Sequence, residues 1–220
     1  MISVVLFDLD GVIRHFDPAP VSDIEVRYGL QPGALAGIAF AAPLIDEVTT
    51  GRITRAEWVS RIGHLVGDQA AAEEWGAQTW SVDDALLELS DEIRSAGLTT
   101  AVLTNGTDTI AAELAASGIA DHFDAIFNSA DIGFAKPDVR AFQHVLDALQ
   151  VRGEDVFFTD DSAAKLAGAA RLSMSTHRFT TVDDLRGRLH AAGVPVRGAQ
   201  APERSGRGEL SGGEDAGLER

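Results

Sequence analysis

The sequence predicts an α/β fold, a parallel sheet covered by helices on both faces and interrupted by a helical insertion. Three observations carry this. Short apolar runs of strand length, at residues 4–7, 98–103, 125–127, 156–159 and 175–179, alternate with amphipathic stretches of helical length. The stretch 15–80 has helical periodicity and no convincing strand signal. Four of the strand ends run into aspartate, threonine, asparagine or a lysine-bearing loop. In open sheets of this kind ligands bind beyond the carboxyl ends of the strands.

Taken in order, Val4-Val5-Leu6-Phe7 is a buried strand that ends in Asp8-Leu9-Asp10-Gly11. Taken alone, Asp-x-Asp-Gly equally suits an ordinary strand terminus, since Asp and Gly are common turn residues. Asp17-Pro18 opens a helix to Tyr28, with Gly29 at its end. Thr54-Arg55-Ala56-Glu57 is a capping box, and Trp58, Ile62, Leu65 and Val66 follow at helical spacing before Gly67. Trp58, Trp75 and Trp80 are assigned to the core of this helical block rather than to a ligand cage. Ser81-Val82-Asp83-Asp84 caps the next helix, which buries Ala85, Leu89, Ile93 and Ala96 and stops at Gly97.

Strand 98–103 runs into Thr104-Asn105-Gly106-Thr107, and a helix follows to about Ser117. Strand, small polar residues, glycine and helix in that order suit either an anion or a plain helix cap. After strand 125–127 a loop leads to Lys136-Pro137-Asp138, which begins a helix carrying Phe142, Val145, Leu146 and Leu149. Strand 156–159 ends in Asp160-Asp161-Ser162, and a helix runs to about Arg171. Strand 175–179 and a helix capped at Thr181-Val182-Asp183-Asp184 complete the pattern. The expected division is a Rossmann-like three-layer core of residues 1–14 and 81–194, a helical insertion of 15–80, and a tail of 195–220. The tail is glycine-rich and charged, too poor in aliphatics to offset its ordering entropy, and is expected to be disordered.

The formal charge of −16 argues against nucleic acid or an anionic membrane as a general partner. No cysteine is present, which excludes disulfides, thiolate metal sites and cysteine nucleophiles. The six histidines lack the H-x-x-x-H spacing of a zinc helix. Without a basic leader or an apolar run approaching the ~20 residues of a membrane span, a cytoplasmic protein is expected, as a monomer. Lysine occurs only at 136 and 165. Arginine fills the other cationic positions, so these two stand where a compact ammonium is wanted, or on the surface.

Together the strand ends supply what phosphoryl transfer needs: carboxylates, phosphate-binding donors and a fixed cation. Carboxylates gathered at one point repel one another unless a hard divalent ion sits among them, and oxygen ligands suit Mg²⁺.

Phe7-Asp8-Leu9-Asp10-Gly11-Val12, Leu103-Thr104-Asn105-Gly106, Lys136-Pro137-Asp138 and Phe158-Thr159-Asp160-Asp161-Ser162 resemble the four ordered motifs of the haloacid dehalogenase superfamily. The insertion is similar to the small helical cap of its first subfamily. Thr50-Gly51-Arg52-Ile53-Thr54 followed by Glu57-Trp58 resembles the branch that contains a glucose-1-phosphate phosphatase. The resemblance implies a Mg²⁺-dependent phosphatase acting on a small phosphorylated metabolite, such as a sugar phosphate. Asp8 would be the nucleophile and Asp10 the general acid and base. Thr104 and Lys136 would serve the transferring phosphoryl group, with Leu9, Asn105 and Gly106 as further substrate contacts. Asp8, the backbone carbonyl of Asp10, and Asp161 would hold the metal, with Asp160 behind them. Arg14, His15, Asp46 and Arg52 are candidates for the leaving-group side. A phosphomutase of the β-phosphoglucomutase kind shares the motifs. A phospho-acceptor signalling domain uses similar residues, but there Lys-Pro comes last. One departure concerns stability: relatives often place glycine where this chain has Ser173, a position expected to need φ > 0.

Overall fold

The computed structural model describes residues 1–197. β1 (Val4–Phe7) leads into β2 (Arg14–Phe16). Helices α1 (Ala19–Arg27), α2 (Ala34–Ala39), α3 (Leu44–Thr49), α4 (Arg55–Val66) and α5 (Gln69–Gly76) follow, and β3 (Trp80–Val82) returns the chain. Then come α6 (Asp84–Ser95), β4 (Thr99–Thr104), α7 (Ile110–Ala116), β5 (Ala125–Asn128), α8 (Ser129–Ile132) and α9 (Val139–Leu149). β6 (Val156–Asp160), α10 (Ala167–Arg171), β7 (Ser175–Arg178) and α11 (Val182–Ala191) end the regular structure.

The α/β expectation holds: a five-stranded sheet has the order β5-β4-β1-β6-β7, with every pair parallel. Its central strand reads as an unbroken apolar run because both faces are covered. Val5 and Phe7 pack with Leu86, Leu89 and Leu185 on one face. Val4 and Leu6 pack with Phe142, Val145 and Phe158 on the other. Each such side chain contributes roughly 1.5–3 kcal/mol by leaving water. β1 lies between β4 and β6, so the strand order reverses there and a crevice opens at its carboxyl end.

The inserted helices have their own core, built on Leu35, Val48, Trp58, Ile62, Ala72 and Trp75. The capping box of α4 forms as expected: Glu57 N–H donates to the Thr54 side chain, and the Glu57 carboxylate accepts from Thr54 N–H.

Four local expectations are corrected. The 15–80 stretch is not free of strand: β2 and β3 pair antiparallel, with Phe16 opposite Trp80. Strands of three residues are too short to display a period of two. Trp80 therefore lies on this ribbon, outside the helical core that holds Trp58 and Trp75. With Ser81 in β3, the cap of α6 is Asp83, which accepts from the N–H groups of Ala85 and Leu86 at 3.0 and 3.3 Å. The helices after β4 and β6 begin late, at Ile110 and Ala167. Ser173 adopts φ 64°, the left-handed conformation expected of it.

At the chain's end Val194 and Val196 pack on the core, so the fold continues past 195. Residues 198–220, most of the expected tail, lie outside the described residues. Among the described residues no helix is long and apolar enough to cross a membrane.

Candidate active site

Asp8 follows β1 directly and is 1% exposed. The Leu9 N–H donates to its Oδ1 at 2.8 Å, whereas the Leu9 side chain is buried in the core. Leu9 therefore meets the site through its backbone alone. The chain turns sharply here, with the N–H groups of Ile13 and Arg14 both donating to Leu9 O. Gly11 takes φ 90°, and a Cβ on it would stand 2.4 Å from Asp161 Oδ2. Only glycine lets the loops after β1 and β6 meet this closely.

Lys136 enters from the loop before α9. Its Nζ lies 2.7 Å from Asp8 Oδ1 and 2.7 Å from Asp160 Oδ2, with no exposed side-chain surface. Asn105 fixes that loop: its Oδ1 accepts from Lys136 N–H at 2.7 Å and its Nδ2 donates to Lys136 O at 2.8 Å. The Asn105 side chain thus holds the backbone of Lys136. Gly168 in α10 supports the same loop, since a Cβ there would stand 2.2 Å from Pro137 O.

Lys165 completes the cluster. Its Nζ is 3.2 Å from Asp8 Oδ2 and 3.9 Å from Asp160 Oδ1. Both lysines of the chain thus converge on one aspartate. No motif flagged Lys165, although the scarcity of lysine singled it out.

Burial pushes the Asp8 carboxyl up, but the ammonium groups of Lys136 and Lys165 outweigh it and hold Asp8 below its ordinary range. Asp160 goes the other way: burial, with the neighbouring Asp8 charge, raises it to about 6 against the pull of Lys136. Burial lowers Lys165, and the facing charges of Asp8 and Asp160 more than reverse this. Asp8 is therefore an ionised, partly desolvated carboxylate at neutral pH, a state suited to nucleophilic attack.

Asp8, Asp160 and Asp161 each place a carboxylate oxygen within 4.8 Å of the others. An all-oxygen, anionic donor set suits a hard divalent cation. Asp160, expected behind the ligands, stands among them. The Asp10 side chain is not part of this group. Its carboxylate is turned to Arg14, with Nε to Oδ1 at 2.5 Å and Nη2 to Oδ2 at 3.1 Å. Arg14 also donates to Glu113 Oε2 at 2.6 Å, and its guanidinium lies over the rings of Phe16 and Trp80.

Thr104, the last residue of β4, is 1% exposed, and its Oγ1 has no hydrogen-bond partner. An orphaned buried hydroxyl costs stability unless a ligand satisfies it. Gly106 beside it admits no side chain: a Cβ would stand 2.3 Å from Ile110 Cγ1 and 2.8 Å from Asn128 Oδ1.

Asp10, Asn105 and Gly106 also border a cavity of about 380 Å³ whose far wall comes from the inserted helices, including Phe40, Trp58 and Trp75. Of the leaving-group candidates only Arg14 borders it. His15 lies on β2 opposite Ser81, and Arg52 donates to Thr50 Oγ1 at 3.0 Å. Asp46 is on α3, outside the cavity lining.

The model of the haloacid dehalogenase-like hydrolases matches residues 2–172. A phosphatase of Mycobacterium tuberculosis is 31% identical over 196 residues, covering 80% of this chain and 86% of that protein. A phosphoserine phosphatase of Thermus thermophilus is 37% identical over 143 residues, covering 64% of this chain and 56% of that enzyme. Among solved structures, a HAD family enzyme of Bacteroides thetaiotaomicron in complex with magnesium and inorganic phosphate superposes with a TM-score of 0.68. It is 21% identical, and the match covers 84% of this chain and 99% of that one.

Proposed function

The chain belongs to the haloacid dehalogenase-like hydrolase family, and from that premise we propose that it is a Mg²⁺-dependent phosphomonoester hydrolase acting on a small phosphorylated metabolite. One observation carries the reading: a buried Asp8 flanked by two ammonium groups, on the strand next to the one that ends in the unpartnered Thr104 hydroxyl, with Asp10 bordering a cavity. The phosphatases among its relatives support it.

In this reading an Asp8 carboxylate oxygen attacks phosphorus and the bond from phosphorus to the leaving oxygen breaks. Lys136 and Lys165 offset charge on the phosphoryl oxygens, and Thr104 Oγ–H donates to one of them. Asp10 rotates from Arg14 and protonates the leaving oxygen. It then takes a proton from the water that cleaves the aspartyl-phosphate, restoring Asp8 and releasing phosphate. Asp8, Asp160 and Asp161, with the Asp10 carbonyl, would hold Mg²⁺, which would supply further neutralisation of phosphoryl charge. The α/β part, 1–14 with 81–194, would be the catalytic unit, and 15–80 the cap over the leaving group.

Asp10 favours phosphate esters over haloacids. A halide leaves without a proton and needs no acid at that position, whereas an alkoxide does. A phosphomutase is separated from a hydrolase by product analysis: free phosphate for one, an isomeric phosphate ester for the other.

The test is phosphate release from a panel of phosphomonoesters, with Mg²⁺ and with EDTA, on wild type and Asp8→Asn. Release that needs Mg²⁺ and disappears in the variant is expected. Release that persists in Asp8→Asn overturns the covalent route.

A further inference from the structure

Several donors around the cavity are already engaged within the protein. Trp58 Nε1 donates to Ala39 O at 3.1 Å and Thr49 Oγ1 to Ile45 O at 2.7 Å. Gln78 Nε2 donates to Trp75 O at 2.7 Å, and an Arg55 Nη donates to Gly76 O. Arg14 is divided between Asp10 and Glu113. Each of these residues borders the cavity, and each directs at least one donor into the protein. The wall facing the space is mostly carbon, from Phe40, Ile45, Val48, Trp58, Trp75 and Ile110, with Asp10, Asp17, Thr107 and Glu113 as its polar neighbours. Phe40 is 60% exposed yet lies edge-on to Trp75, with ring centroids 6.0 Å apart. It is a large aromatic left on the surface at the rim of an aromatic wall.

We propose that the leaving group this enzyme accepts is apolar, an aromatic or branched-aliphatic alcohol, and not a sugar. The proposal rests on the phosphatase reading and narrows it. A polyhydroxylated leaving group would set most of its hydroxyls against ring faces and aliphatic carbons, where an unpaired hydroxyl loses its water without replacement, a discrimination on the order of 100-fold in an apolar pocket. An apolar alcohol would exchange water for those same surfaces without leaving a donor unsatisfied. The phosphate end stays at the ammonium groups by Asp8, while the carbon end extends past Asp10 under α2, α4 and α5. This replaces the sugar phosphate expected from the Thr50–Thr54 resemblance.

The experiment compares cyclohexylmethyl phosphate with glucose 6-phosphate. Both are primary alkyl phosphates of similar size, so intrinsic reactivity does not separate them. The expected kcat/KM ratio is about 100 in favour of the cyclohexylmethyl ester, the scale of a site that leaves hydroxyls unpaired. Phe40→Ser, at an exposed position, is expected to narrow the ratio about tenfold. Equal or better turnover of glucose 6-phosphate overturns the proposal.

A binding measurement keeps it falsifiable without turnover. All three tryptophans of the chain border the cavity, so intrinsic fluorescence reports occupancy. Saturable titration by cyclohexylmethyl phosphonate, and not by glucose 6-phosphate, supports the apolar site even if neither ester releases phosphate, in which case the phosphatase reading alone fails. No saturation by the phosphonate, or equal saturation by both, overturns the apolar site.

Discussion

Lys165 Nζ stands 3.2 Å from Asp8 Oδ2, while Lys136 Nζ stands 2.7 Å from Oδ1 of the same carboxylate. One aspartate is gripped on both edges. Lys136 is buried, but the Lys165 side chain is 29% exposed and reaches in on a flexible stem. It also comes within 3.9 Å of Asp160 Oδ1, so it touches two of the three carboxylates that would hold a cation. Two like charges about 4 Å apart repel by about 4 kcal/mol at an effective dielectric of 20. Removing the ammonium relieves part of that. Lys165→Met is expected to lower the Mg²⁺ dissociation constant by about tenfold or more, measured by titration calorimetry. A weaker Mg²⁺ complex would instead mean that Lys165 helps to hold the site together.

Lys136 is not interchangeable with Lys165. Its removal leaves Asp8 and Asp160 without their closer, fully buried counter-ion, with only the longer contacts of the partly exposed Lys165. Lys136→Met is expected to cost about 3–5 kcal/mol of stability without added metal, read from urea unfolding. Adding Mg²⁺ should restore part of it, because a cation bound only by the folded state stabilises that state.

Gly168 tests whether the Lys136 loop needs its close support. A methyl group there meets Pro137 O and the Phe142 ring. Gly168→Ala is expected to lose about 1–3 kcal/mol by overpacking and to reduce phosphate release, since the loop it displaces carries Lys136. Normal turnover with a lowered Tm would separate packing from alignment.

Asp138 offers a pH-dependent measurement away from the site. It caps α9 by accepting from Arg140 N–H at 2.9 Å and pairs with the Arg140 guanidinium. The Arg140 bonds lower its carboxyl from 3.8 to about 2. Because the folded value is the lower one, this stabilisation is complete above about 4 and is lost as pH falls toward 2. Asp138→Ala is expected to cost about 1 kcal/mol at neutral pH. The gap in Tm between wild type and variant should close as pH drops below about 4. A gap unchanged at pH 2 would contradict this.

The strands of the large sheet were legible because a buried strand and the polar residues that end it are contiguous in sequence. Val4–Phe7 with Asp8, and Val156–Thr159 with Asp160, declare themselves within six residues or fewer. The ribbon was not, since three residues make no pattern. The role of Asn105 was hidden because its side chain answers to Lys136, 31 positions away. The Arg14–Glu113 pair spans 99 positions. The cavity wall escaped for the same reason: Phe40, Trp58 and Trp75 each satisfy a helical pattern, and only the crossing of α2, α4 and α5 turns them toward a common space. Lys165 was visible only through composition, as one of two lysines in a chain that otherwise uses arginine.

The ribbon has an evolutionary and engineering consequence. Because Phe16 and Trp80 sit opposite each other, the chain leaves and re-enters the sheet unit at a single doorway. Everything between them is, topologically, one long hairpin loop. Such a module can be shortened, swapped or grafted without re-threading the strands that carry Asp8, Thr104 and Asp160. The hydrolytic machinery and the choice of alcohol would then diverge independently, with one doorway joining a fixed engine to an exchangeable cassette.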